Sequence, residues 1–214
     1  MRFKGLLRGL AVALISVLVF NGCSALKDVS KTIGNLQKLK FKLDNVSGFR
    51  LAGVNLSNKS RLSDISVSDA LNLTRAFGSK RLPAEFTLNV AALNPAESGG
   101  ATQPTKSSAS GARLVGLDWR LFIDNVETVS GDISSPVTIP NAGEQTIIPI
   151  RINLDLMSFF GNQDYERLIN LALALGGQGG SAARLKLDAR PTISTSFGNF
   201  TYPNRITIVN TEFR

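Results

Sequence analysis

The chain contains no histidine and one cysteine among its 214 residues. Without imidazoles there is no Ser-His-Asp or Cys-His catalysis and no His-ligated zinc site. A single thiol excludes an intrachain disulfide and a multi-cysteine metal site. Other chemical signatures are missing too. There is no Gly-x-Ser-x-Gly elbow and no Gly-Lys-Ser/Thr phosphate loop. The run Gly176-Gly177-Gln178-Gly179-Gly180 follows a helical stretch rather than a strand, so it reads as a hinge-like linker. Asp118 and Asp124 flank one strand and read as solvated-face charges. The expectation is a protein that is not an enzyme and has no cofactor and no metal.

Long apolar runs are scarce. Leu10–Phe20 is broken by Ser16 and is too short to span a bilayer, which takes about 20 apolar residues. Acidic charge is absent from the first 23 residues, which carry Arg2, Lys4 and Arg8. Residues 24–61 hold eight basic residues against two acidic ones, and the remainder holds 13 against 14. The formal charge of +8 is therefore N-terminal, and the main domain is nearly neutral. A nucleic-acid binder carries its basic residues on the folded domain, so no nucleic-acid partner is expected.

A positive start, a short apolar run and a terminal Phe20-Asn21-Gly22-Cys23 make residues 1–22 read as an export signal. The ending resembles a bacterial lipoprotein lipobox, in which a small residue precedes the Cys. Gly22 fits that pattern, whereas Phe20 and Asn21 depart from its usual Leu and small residue. The resemblance implies lipid attachment at Cys23 and membrane anchoring in a bacterial envelope. Ser24, being other than Asp, implies passage to the outer membrane. Residues 23–35 follow as a tether.

The mature chain then alternates. Lys38, Lys40 and Lys42 fall on one side of a strand and Leu39, Phe41 and Leu43 on the other. The lysines fit either a solvated face that protects an edge strand or a contact with anionic headgroups. Asn45-Val46-Ser47-Gly48 reads as a turn into a strand over Phe49–Leu56. Val67, Ala70, Leu71, Thr74 and Phe77 share one helical face, with Ser66 or Ser68 as cap. Phe86, Leu88, Val90 and Ala92 form the next strand. Residues 96–111, rich in Ser, Ala, Gly and Thr, read as a mobile loop.

Two further strands place Val115, Leu117, Trp119, Leu121 and Ile123, then Ile148, Ile150, Ile152, Leu154 and Leu156, on their buried faces. Pro149 marks its strand as an edge or a bulge. Tyr165, Leu168, Ile169 and Ala172 line a second helix, capped by Asn162 or Asp164. Leu185–Ala189 and Ile206–Val209 close the strand list, with Phe197, Phe200 and Tyr202 as core or rim aromatics. Many short alternating strands with turn signals predict a mainly β chain: an antiparallel β-sandwich with one or two accessory helices.

Phe86–Asn94-Pro95, Leu114–Ile123, Val137-Thr138-Ile139-Pro140, Gln145–Leu156 and Tyr202-Pro203-Asn204-Arg205-Ile206 together resemble the late embryogenesis abundant type 2 (WHy-like, desiccation-related) family. The likeness covers residues 82–214 and implies a fibronectin-III- or immunoglobulin-like sandwich with no known catalytic centre. Residues 36–81 are expected as strands and a helix packed on that sandwich. The functional expectation is a non-catalytic envelope lipoprotein working through protein or lipid contacts, with stress or desiccation protection as the implied role. Alternatives are an accessory subunit of an outer-membrane assembly and an apolar-ligand or lipid carrier. The partners are a membrane reached through the anchor and an envelope protein; the oligomeric state stays open.

Overall fold

The computed structural model describes residues 38–95, 112–178, 182–196 and 198–214. The signal, Cys23, the tether, the 96–111 loop and Phe197 lie outside the described residues. The described chain is a sandwich of two antiparallel sheets. One has the order β2-β1-β3-β7, from β1 (Lys40–Leu51), β2 (Val54–Asn55), β3 (Pro83–Leu93) and β7 (Gln145–Asp155). The other has the order β10-β8-β4-β5, from β4 (Arg113–Ile123), β5 (Val126–Gly131), β8 (Leu185–Thr195) and β10 (Ile206–Ile208). Short β6 (Val137–Thr138) and β9 (Gly198–Thr201) pair with β4 and β8. Strands 1-3-7 facing 10-8-4-5 is the fibronectin-III arrangement, with β2 added at one edge.

The inner faces follow the alternation read from the sequence. Phe41, Leu43, Phe49 and Leu51 of β1 meet Ala84, Phe86, Leu88, Val90 and Ala92 of β3 and Ile148, Ile150, Ile152 and Leu154 of β7. Leu117, Trp119, Leu121 and Ile123 oppose them from β4, with Leu185, Leu187, Ala189 and Ile193 from β8. Pro149 lies on β7, the edge strand of its sheet, where its missing N–H breaks no ladder bond.

Several local readings change. The Asn45–Gly48 stretch is not a turn. β1 runs through it with two register shifts, between Leu43 and Asn45 and between Ser47 and Arg50, and Gly48 takes φ 65°. Both flanks pair with the same strand β3, so the turn-forming residues are absorbed as bulges that return Phe49 to the core. β1 is therefore an inner strand, and the four-stranded sheet spans both the 36–81 and the 82–214 stretches. Its second edge is covered by β2 and by the C-terminal segment, through Phe41 N–H to Arg214 O at 2.6 Å and Leu43 N–H to Val209 O at 2.9 Å. A similar shift at Leu114/Gly116 leaves Leu114 buried and Val115 only half-buried.

The helices differ as well. α1 (Val67–Gly78) starts where expected, with Ser66 Oγ accepting from Asp69 N–H at 3.2 Å. Its core contact is Leu73, flanked by half-buried Ala70, Ala76 and Phe77, while Val67 and Leu71 face solvent. Short α2 (Leu156–Phe160), unforeseen in the sequence, starts from the last residue of β7, whose Asp155 carboxylate accepts from Met157 and Leu82 N–H. α3 (Tyr165–Gly176) is capped by Asp164 and buries Leu168, Ile169, Leu171, Ala172, Leu173 and Leu175. Its end lies so close to β1 that a Cβ on Gly176 would fall 2.0 Å from Phe49. Gly177 is equally constrained, a Cβ there lying 2.4 Å from Lys59 O. These two glycines are close-approach positions rather than a hinge.

Trp119 is buried, and its ring lies on Gly131 of the neighbouring strand, where a Cβ would fall 2.7 Å from Cζ2. Trp119→Ala is expected to cost about 3–5 kcal/mol by leaving a cavity. Gly131→Ala should cost about 1–3 kcal/mol through overpacking of the same ring. Urea unfolding of both variants checks the pair, and an unchanged midpoint for either would disprove the packing.

Candidate functional site

The outer faces of the two sheets carry different electrostatics. On the β10-β8-β4-β5 sheet, register sets Asp118 opposite Arg190 and Arg120 opposite Asp188. Arg205, just before β10, reaches both carboxylates, with Nη1 2.7 Å from Asp118 Oδ2 and Nε 3.4 Å from Asp188 Oδ2. Arg120 pairs with Asp188 and lies 3.6 Å from Glu127, and Arg190 lies 3.5 Å from Asp118. Lys186 Nζ sits 4.4 Å above the Phe122 ring. The hydrogen bond from Arg205 holds the Asp118 carboxyl below its ordinary range, and the same bond raises the Arg205 guanidinium. This face neutralises itself across three strands.

On the β2-β1-β3-β7 sheet Arg50 stands opposite Glu85, but the start of β1 has no such acid opposite its bases. Lys40 and Lys42 project from β1 beside Leu93 and Ala91 of β3, with exposed Ile147 next along on β7. Lys38 is exposed just before the strand. Among the described residues no carboxylate lies within 4.0 Å of Lys40 or Lys42; Lys42 Nζ instead sits 5.7 Å from the Phe213 ring centroid. Of the three lysines named from the sequence, Lys40 and Lys42 thus share one face at the start of β1, and Lys38 lies just before it. The edge-protection reading loses its basis, because β1 has neighbours on both sides.

At the opposite end of the sheet lies a polar cleft of about 440 Å³, lined by Ala52, Gly53, Val54, Asn55, Asn58, Lys59, Asp69 and Asn72. Ala52 and Gly53, with φ 46° and 81°, form the tight link between β1 and β2. Lys59 reaches Asp64 O at 3.0 Å and Asp69 at 3.7 Å. N–H bonds from Ser60 and Arg61 keep the Asp64 carboxyl below its usual range. Sequence reading missed this cleft, because it depends on where α1 sits against the hairpin. Among the described residues no cluster of three or more Cys, Asp or Glu could hold a metal ion, and no helix is long and apolar enough to cross a membrane.

Fold and surfaces define a fibronectin-III-like β-sandwich with one self-neutralised face and one lysine-bearing face. No protein-family model matches the chain, and no curated protein matches it. Among solved structures it is similar to a protein from Archaeoglobus fulgidus, at 13% identity and a TM-score of 0.31 over 62% of this chain and 82% of that one. It is also similar to the solution structure of a chain described as a candidate late embryogenesis abundant (LEA) protein, at 14% identity and a TM-score of 0.33 over 90% of this chain and 87% of that one. At these scores neither likeness carries an argument.

The Asp118 lattice sets a pH dependence. A carboxyl held below its unfolded value of about 3.9 adds stability above that value and loses it as pH falls through the folded value. Asp118 is partly exposed, so solvent screening keeps the effect small. Asp118→Asn should lower stability slightly at neutral pH and flatten the loss as pH falls below about 4. Urea unfolding across that range measures it; parallel curves for both proteins would remove the lattice from the account.

Proposed function

We propose that this protein is a non-catalytic envelope lipoprotein, anchored through Cys23 to a bacterial membrane, the outer membrane being the destination that Ser24 favours. It acts through protein or lipid contacts. The strand and turn motifs shared with the late embryogenesis abundant type 2 pattern favour a role in stress or desiccation protection. The observation that carries the reading is the lysine face. Lys40 and Lys42 stand without carboxylate partners among the described residues, at the end of the sheet that follows the tether, while the other sheet pairs its charges internally. A basic residue near an anionic leaflet contributes about 1 kcal/mol, and a lipid anchor holds the face within reach.

A second reading is an accessory subunit of an outer-membrane assembly. It is favoured by the open edge of β7, an 11-residue strand paired only on its β3 side among the described residues. The carrier reading draws no support from the 440 Å³ cleft, whose lining is largely amide and charged.

Two measurements test the proposal. Cys23→Ala should leave the membrane fraction or accumulate as precursor; normal recovery at mature size would defeat the anchor. A soluble form starting after Cys23 should float with anionic liposomes and release as salt is raised, since exposed charge interactions are screened. Changing Lys38, Lys40 and Lys42 to Gln should abolish flotation. Equal flotation of parent and variant would make the lysines a solvated face.

A further inference from the structure

We propose that the polar cleft between the β1–β2 hairpin and α1 binds a small neutral polyhydroxylated compound, a free sugar or the end of a glycan. This goes beyond the envelope reading and does not depend on the anchor. The cleft holds about 440 Å³. Small-molecule sites run from about 300 to 1,000 Å³, so this one takes a single small ligand. Neither wall has to move to receive it. The hairpin pairs Arg50 with Asn55 and Leu51 with Val54, and Ala52 N–H donates to Pro83 O at 2.7 Å. The helix is capped by Ser66 and fixed in the core by fully buried Leu73. Groups already in place lose little freedom when they bind.

Three asparagines line the cleft: Asn55 from the hairpin, Asn58 from the segment after it and Asn72 from the helix. Their amides are largely open. Asn55 Oδ1 accepts from Ser57 N–H at 2.9 Å, which leaves its Nδ2. Among the described residues the side chains of Asn58 and Asn72 make no hydrogen bond. Asn72 sits in the interior of α1, where asparagine is a poor helix former and caps nothing. Ala52 is held at φ 46°, a conformation that asparagine adopts far more readily than alanine. Two lining positions thus run against local preference, as residues kept for binding do.

The charges in the lining cancel, and this selects a neutral ligand. Lys59 is the base and Asp69 the acid, 3.7 Å apart, with the Lys59 side chain 16% exposed. Lys59 Nζ also donates to Asp64 O at 3.0 Å, so one of its three protons is left. Its main chain is fixed as well, donating to Leu56 O at 3.0 Å and accepting from Gln178 N–H at 2.8 Å. A phosphate or carboxylate would find no second cation in the lining. An apolar or aromatic ligand would find no ring to stack on and would strip water from amides that it cannot bond. A ligand with several hydroxyls meets neither obstacle, because each hydroxyl both donates and accepts, as each amide does.

The test uses the full chain in dodecylphosphocholine, a detergent without sugar, and saturation-transfer NMR. The probes are glucose, N-acetylglucosamine and the linear trimer of each. Saturable binding of at least one is expected, with no displacement by phosphate, glutamate or indole. Asn58→Ala and Asn72→Ala should each weaken it about tenfold. The melting temperature should not fall in either variant, because both amides are exposed and unbonded. Equal affinity for monomer and trimer identifies a free sugar as the ligand, and tighter binding of the trimer identifies a glycan. The proposal is overturned if none of the four probes binds saturably, if binding ignores both substitutions, or if phosphate, glutamate or indole displaces the sugar.

Discussion

The ladder along β3 is the constraint on which the rest depends. Its 11 residues pair with every position of β7 on one side, and all but Pro83 and Phe86 pair with β1 on the other. One register therefore fixes which side chains of three strands face the opposing sheet, because a slip of one residue would turn each strand inside out. The bulges in β1 serve that ladder. They let a strand with turn-forming residues at its centre keep Phe41 and Leu43 before them, and Phe49 and Leu51 after them, on the same inner face.

The two outer faces follow from the same geometry but reach different electrostatic ends. On β4 and β8, register sets acid against base at successive positions, and Arg205 closes the group from the residue just before β10. Exposed pairs of this kind contribute little individually, while a connected set constrains the positions of several strands at once. On β1, Lys40 and Lys42 fall opposite Leu93 and Ala91, which bring no charge, while Arg50 falls opposite Glu85. The start of β1 therefore carries basic side chains with no charge opposite them in the ladder.

The helices gather at the other end. α1 returns into the start of β3, α2 leaves the end of β7, and α3 closes against Phe49 through Gly176. The polar cleft and the exposed face of α1 belong to this helical end.

The alternation of Leu117, Trp119, Leu121 and Ile123, and of Ile148, Ile150, Ile152 and Leu154, is enough by itself to determine two half-buried strands, because side-chain direction in a strand depends only on parity. Pro149 likewise marks an edge or a bulge, since it has no N–H to give a ladder, and strand order decides for the edge. The lysine face is legible for the same reason as the strands. Tertiary structure alone decides that Asn45–Gly48 is a pair of bulges, because that outcome depends on both flanks finding β3. It also decides which side of α1 is buried. Val67, Ala70, Leu71, Thr74 and Phe77 make a self-consistent stripe, but the space available in the core fits Leu73. The ionic lattice and the cleft are equally beyond sequence reading, for Asp118 and Arg205 are brought together by strand order and not by any local pattern of residues.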